Sequence, residues 1–375
     1  MKICIAQLNP IVGDIDGNRY LLEKAVQSAF KDNATLIIFS ELFLVGYPPQ
    51  DKQLDSEFKK NVLDAHDKIK TFSLSLPTIG ILFGSLDYLT SKTREGESVG
   101  FSQNSIFFVT NGKMEKVSSK TLLPNYDVFD ESRYHYAFDS NAQRSTNMLN
   151  FSGKRIGISV CEDMWFSQNK SIYKTDPIDR FRNQNIDIIV NISASPYEVG
   201  KDRNRKEIIQ FISSDFNVPV VFVNQVGGND GLIFDGGSGV FTDKICLRLP
   251  HFKEAVVSID IDHLTIKKNS KFETYGPVGV NKLDEMFPFI LKSDLDHILD
   301  ALSVGIRDYV IKTGFSTIIL GLSGGIDSAL TAYLAVRAIG KSNVVGVTMP
   351  SKYSSKGSVD DSYELAANLG MACST

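Results

Sequence analysis

Residues 155–165 read RIGISVCEDMW. The run Arg155 to Val160 is short and apolar, so it reads as a buried strand, and Cys161 stands at its end. Loops that follow strand ends are where α/β folds gather their chemistry. Two other places repeat the arrangement: Glu41 follows LIIFS, and Lys120 follows the hairpin strand in VSSKTLLPNY (117–126). Hydrolysis of a carboxamide needs a nucleophile, a proton shuttle and stabilisation of a tetrahedral oxyanion. Lys120 can lower the pKa of the Cys161 thiol and also stabilise the oxyanion. Glu41 can take the thiol proton and return it to leaving ammonia. Backbone N–H groups in the turn after Cys161 can complete the oxyanion site. Taken singly, each residue has a bland reading: a cysteine at a strand end is usually just packed, and a loop Glu or Lys is usually solvated.

Working outward, strand-like runs alternate with helical patterns from residue 3 to about 260. Lys2 to Leu8, Leu36 to Phe39, Ile79 to Leu86, Ser105 to Val109, Ile186 to Ile192, Val218 to Asn224, Gly236 to Phe241 and Ala255 to Ile259 read as strands. Asn18 to Phe30 has apolar residues at helical spacing, and Asn111-Gly112 supplies a hairpin turn. Such a mixture of βα units and hairpins predicts an α/β layered fold rather than a purely parallel sheet. At 375 residues the chain exceeds one ordinary core. Its net charge of −4, with both signs interleaved, argues against a nucleic-acid partner. No apolar run approaches the roughly 20 residues of a membrane span, and the first residues lack the features of a signal peptide. The four cysteines, at 4, 161, 246 and 373, have neither metal-ligand nor disulfide-framework spacing. A cytoplasmic location with reduced thiols is expected.

Residues 265–290, including KKNSKFETYGPVGV, read as a linker between a first domain at 1–264 and a second at 291–375. In the second, Ser293 can cap a helix that stops near Gly314. A strand from Thr317 to Leu320 then leads into GLSGGIDS (321–328), and another strand runs from Val344 to Val347. Glycines 321, 324 and 325 let backbone approach phosphates. The loop (Gly321, Leu322, Ser323, Gly324, Gly325, Ile326, Asp327, Ser328) opens a helix whose first N–H groups favour anions. Ser323 and Ser328 can donate to phosphate oxygens, and Asp327 can hold Mg²⁺. No Gly-Lys-Ser/Thr follows, so this is not a Walker loop. With a single βαβ unit, the second domain is expected to be incomplete at Thr375 and to expose an apolar face.

FSELFLVGYPPQD (39–51), SKTLLPNYDVFDESRY (119–134) and SVCEDMW (159–165) resemble the three signature segments of the nitrilase superfamily, in the detail of glutaminase domains of NAD⁺ synthetases. The resemblance covers about residues 1–260. It implies an αββα sandwich with Glu41 as general base, Lys120 as transition-state stabiliser and Cys161 as nucleophile. It further implies that Tyr126, Ser195 and Lys201 hold glutamine, that Glu162 and Trp165 line its pocket, and that Glu131 is an extra carboxylate beside the triad. Lys201 suits the substrate carboxylate, where some family members carry Arg, and Glu162 suits its ammonium. SGGIDS resembles the pyrophosphate loop of the ATP pyrophosphatase superfamily, with a Rossmann-like fold. ALSVGIRDYVIKTGF (301–315) and VVGVTMPSKYSSKGSVDDSYELAANLG (344–370) narrow that to NAD⁺ synthetases. The implied reaction adenylates deamido-NAD⁺ with ATP and Mg²⁺ and amidates it with ammonia from glutamine, in a homo-oligomer with no tightly bound organic cofactor. The alternatives are a stand-alone carbon–nitrogen hydrolase with a synthetase remnant, and a non-catalytic scaffold.

Overall fold

The computed structural model describes residues 1–88, 102–138, 147–266, 293–350 and 355–375. The chain divides into two compact units, one of Met1–Val226 with Phe234–Glu273, the other of Gly227–Ile233 with Thr274–Thr375. The grouping of 227–233 with the second unit is a feature the sequence does not announce. Of the expected linker, Thr265–Ile266 forms a strand, and 267–290 lies outside the described residues.

The first unit runs β1 (Lys2–Gln7), α1 (Ile15–Lys31), β2 (Leu36–Ile38), α2 (Ser56–Ser73), β3 (Gly80–Tyr88), β4 (Ser102–Thr110) and β5 (Lys113–Ser119). It continues with β6 (Met148–Phe151), β7 (Lys154–Val160), β8 (Ile188–Ser193), α3 (Lys201–Phe216), β9 (Val220–Asn224), β12 (Gly239–Phe241), β13 (Cys246–Arg248), β14 (Ala255–Asp260) and β15 (Thr265–Ile266), while β10 (Val226–Asn229) and β11 (Leu232–Asp235) include the residues 227–233 grouped with the second unit. One sheet has the order β15-β14-β1-β2-β3-β4-β5 and the other β13-β12-β9-β8-β7-β6, while β10 and β11 pair by themselves. Central strands β1-β2-β3 and β7-β8-β9 are parallel, and the flanking strands are antiparallel. The turn between β4 and β5 holds Asn111 at φ 46° and Gly112 at φ 74°, the paired left-handed residues a tight hairpin requires.

Alternation along the strands builds the core. Ile3, Ile5, Leu36, Ile38, Leu82 and Ile106 of one sheet meet Ile156, Ile158, Val160, Val190, Ile192 and Val223 of the other in a single buried cluster. On the outer face of the second sheet, Ile208, Ile209 and Ile212 of α3 pack against Ile189, Val220 and Phe222. Helices α1 and α2 lie on the first sheet's side, where Leu22, Val26, Val62 and Ile69 are buried. The result is the αββα layering implied above. Asp14 and Asp55 cap α1 and α2 by accepting backbone N–H groups.

The second unit contains α4 (Asp294–Lys312), β16 (Ile318–Leu322), α5 (Ile326–Ile339), β17 (Val344–Thr348), α6 (Lys356–Leu369) and β18 (Ala372–Ser374). Its strands are parallel in the order β16-β17-β18. Ser293 caps α4 as expected, in a capping box with Asp296. β16 extends two residues past the expected Leu320, because Gly321 and Leu322 pair with Val347 and Thr348. Two residues of the glycine-rich string are therefore strand, and its turn is Ser323 to Gly325. Apolar side chains do stand exposed on this unit, among them Ile319, Ile326 and Met349. Among the described residues no helix is long and apolar enough to cross a membrane.

Candidate active site

Three of the loops that shape the site follow strands of both sheets. Glu41 follows β2, Lys120 follows β5 and Cys161 follows β7. Glu41 and Lys120 are almost wholly inaccessible to solvent. The Lys120 ammonium donates to Glu41 Oε1 at 2.9 Å and to Glu131 Oε1 at 2.7 Å, so one cation is shared by two buried carboxylates. Tyr47 donates its hydroxyl to the same Glu131 oxygen at 2.7 Å. Glu41 accepts two further bonds at 2.7 Å, from the Asn104 amide and the Ala194 backbone N–H. Its own N–H donates to the Ser193 carbonyl, so the general-base candidate is tied to both sheets. Burial disfavours the charged form of Lys120, but Glu131 and Glu41 outweigh it and hold its pKa well above the usual lysine value.

Cys161 opens a short 3₁₀ turn, Cys161–Met164, with its backbone at φ 42°. A left-handed conformation is costly for a residue with a side chain, and such strain collects at functional positions. Asp163 pins the turn: its carboxylate accepts from the N–H groups of Thr121 at 3.0 Å, Leu122 at 2.9 Å and Val160 at 3.3 Å. Since Thr121 and Leu122 directly follow Lys120, this one side chain stitches the cysteine turn to the lysine loop. Burial pushes the Asp163 carboxyl up to about 6, against the pull of Arg180 and those three N–H donors. Neither Asp163 nor Asn104 was singled out from sequence, since a lone buried polar residue leaves no periodic signal.

One expectation is corrected. Lys120 does not depress the Cys161 thiol below its usual value. Burial and the Glu41 carboxylate raise it, and together they exceed the lowering by Lys120. The cysteine therefore rests as a thiol, and its activation requires proton removal as attack begins.

In front of Cys161 lies a pocket of about 320 Å³ whose lining includes Tyr126, Glu162, Trp165, Ser195 and Lys201. All five residues assigned to glutamine by resemblance are thus brought together with the cysteine. Glu41, Lys120 and Glu131 do not line it. Glu162 Oε1 accepts from Tyr126 at 2.8 Å, Asn169 at 2.9 Å and Tyr173 at 3.1 Å. The Lys201 ammonium lies 5.7 Å from the Trp165 ring centre, and burial and Arg205 lower its pKa. The pocket thus carries a carboxylate, a cation and a hydroxyl (Ser195) around a thiol, a donor set suited to a small zwitterion.

In the second unit, Gly324 sits at φ 77°, and a Cβ there would meet Ser358 Cα at 2.6 Å, so only glycine fits. Ser323 and Ser328 hydroxyls lie 3.1 Å apart, and Ser328 donates to the Gly325 carbonyl at 2.9 Å. Gly325 precedes α5 without a side-chain cap, and Asp327 is in the first turn. A pocket of about 360 Å³ is lined by Gly324, Gly325, Ser328, Asp361 and Glu364 among others.

A family model described as carbon-nitrogen hydrolase matches residues 2–268, and one described as NAD synthase matches residues 298–375. The chain is 38% identical over 381 residues to the glutamine-dependent NAD(+) synthetase of Synechocystis sp., covering 100% of this chain and 64% of that one. It is 34% identical to the Acinetobacter baylyi protein of the same name, covering 99% of this chain and 61% of that one. Among solved structures, the glutamine-dependent NAD+ synthetase of Acinetobacter baumannii in complex with ADP matches with a TM-score of 0.78 and 34% identity, over 100% of this chain and 64% of that one. An amidase from Nesterenkonia sp. AN1 matches over 69% of this chain and 92% of its own, with a TM-score of 0.57 and 18% identity, a likeness of fold. The chain thus spans just over three fifths of the length of the curated relatives it matches.

Proposed function

The chain belongs to the carbon-nitrogen hydrolase family, and on that premise we propose that its first unit hydrolyses glutamine to glutamate and ammonia for NAD⁺ synthesis. The observation that carries the reading is the buried Glu41–Lys120–Glu131 group, whose charges act on Cys161 of the pocket lining. Glutamine enters with its carboxylate toward Lys201, its ammonium toward Glu162 and its carboxamide toward Cys161, with Tyr126, Trp165 and Ser195 as walls. The thiol proton passes to Glu41 as sulfur bonds to the carboxamide carbon. Lys120 and backbone N–H groups of the Cys161 turn stabilise the oxyanion. Glu41 returns the proton to the leaving nitrogen, ammonia departs, and a glutamyl thioester remains for water to cleave.

The second unit is proposed to bind ATP on the 321–328 turn, with Asp327 holding Mg²⁺ through an oxygen donor of the hard kind that ion prefers. Its reaction is adenylation of deamido-NAD⁺ followed by amidation with the ammonia released in the first unit. The relatives' names and the NAD synthase match support this. The proposed division is amidase at 1–264, linker at 265–290 and synthetase segment from 291. Four free cysteines suit a reducing cytoplasm, and a homo-oligomer is the proposed assembly.

The decisive test is covalent. Acid-quenching the protein with glutamine should trap a glutamyl adduct on the Cys161 peptide, and Cys161→Ala should release neither glutamate nor ammonia. Retained glutamine hydrolysis by Cys161→Ala would remove the nucleophile from the proposal.

A further inference from the structure

Beside the pocket, the first unit buries an ionic cluster of Asp202, Arg205, Asp235, Arg248 and His251. Asp202, Asp235 and His251 each place a ligand atom within 4.8 Å of the others, a spacing that suits a metal. The cations already present argue otherwise. Arg205 Nη1 lies 3.2 and 3.1 Å from the two Asp235 oxygens. Arg248 pairs with both Asp202 oxygens and lies 3.1 Å from His251 Nε2. Two guanidinium groups already pair with the two carboxylates, so a divalent ion would have to compete with them and would leave the site with excess positive charge.

What the cluster holds is Ser195. Asn224 Oδ1 accepts the Ser195 N–H at 2.8 Å, and Asn224 Nδ2 donates to the Ser195 carbonyl at 3.2 Å. Arg205 Nη2 makes a long 3.4 Å contact to the Ser195 hydroxyl. Both partners are anchored on Asp235, which accepts from Asn224 Nδ2 at 3.3 Å and pairs with Arg205. Arg205 also follows Lys201 by one turn of α3, so fixing it fixes the helix start that presents Lys201. Asp235 is fully enclosed. Burial opposes its charge, yet Arg205 and His251 hold its carboxyl well below the usual range, so it is ionised in the working protein.

We infer that Asp235 and Arg205 are positioning residues that set the Ser195–Lys201 wall for the amino-acid end of the substrate. The substrate half of this statement rests on the glutamine reading above. A network of this kind acts as a unit, because each buried member leaves another unsatisfied when removed.

The test is Asp235→Asn, which keeps the shape and removes the charge, compared with wild type in the full chain. Amide hydrogen exchange of the peptide covering 193–201 should quicken about ten-fold or more, while the β7 peptide stays as it was. Glutamine KM should rise about ten-fold with kcat within about two-fold, and alkylation of Cys161 by iodoacetamide should keep its wild-type rate. A merely structural loss would instead lower kcat and alter alkylation together, and that result, or unchanged exchange at 193–201, overturns the assignment. Should Asp235→Asn not fold, Arg205→Lys keeps the charge but not the fork, and the same exchange and KM readouts apply to it. If the wild-type protein hydrolyses no glutamine, the substrate reading fails, and exchange at 193–201 alone decides the positioning role.

Discussion

Lys201 is the first residue of α3 and a cation in the pocket lining, its ammonium over the Trp165 ring. Losing a charge-assisted hydrogen bond costs roughly 1.5–3 kcal/mol, so Lys201→Ala should raise glutamine KM by about ten- to hundred-fold. Steady-state kinetics check this, and an unchanged KM would assign the carboxylate to another group. Single residues were the best and the worst read part of this chain. The placement of Glu41, Lys120 and Cys161 just after strands was legible because each stands inside a distinctive local text. The direction of the Cys161 shift was not, because burial outweighs the neighbouring lysine and burial is a property of the folded layers. Asp163, Asn104 and Asp235 were missed for a related reason: each acts through backbone or side-chain groups far away in sequence.

At the level of elements, strands were easier to read than helices. The alternating or continuous apolar runs of β1, β3, β7, β8 and β9 stand out, whereas α3 reads KDRNRKEIIQFISSDF, with its charges masking the three isoleucines that pack on the sheet. The helix α2 was likewise not foreseen, its buried Val62, Ala65 and Ile69 being sparse among charges. How β3 supports the loop that carries Glu41 was visible only in three dimensions. Gly84 donates its N–H to the Ser40 carbonyl, and its carbonyl accepts from Leu44. A Cβ at Gly84 would lie 2.3 Å from Leu42 N and 2.8 Å from the Glu41 carbonyl carbon, atoms of backbone that cannot swing aside. Gly84→Ala should therefore push Glu41 out of line, destabilising the unit by roughly 1–3 kcal/mol and lowering kcat more than it raises KM. Thermal melting and turnover measured together check this; wild-type values for both would show that the loop yields freely.

Across the whole molecule, two buried carboxylates give the stability opposite pH slopes. Asp235 has a depressed pKa, so its contribution is complete above the ordinary carboxylate value of about 4 and is lost as pH falls below it. Asp163 is raised to about 6, so the stability linked to its protonated form is complete below about 4 and is lost as pH rises through about 6. Melting temperature against pH should show Asp235→Asn losing its deficit in acid, and Asp163→Asn gaining on wild type between about pH 4 and 7. Parallel curves for the wild type and both variants would contradict the linkage. The lysine shared between Glu41 and Glu131 has a different consequence. With a neutral thiol beside them, the three ionised side chains carry one negative charge in sum. When the thiol proton moves to Glu41, the negative charge reappears on the substrate oxygen, and the sum is unchanged. Up to the oxyanion, acylation therefore conserves the charge of the site: the negative charge that Glu41 gives up on taking the proton is the charge that the substrate oxygen takes on, so this buried site need not draw an ion in from solvent to reach the intermediate.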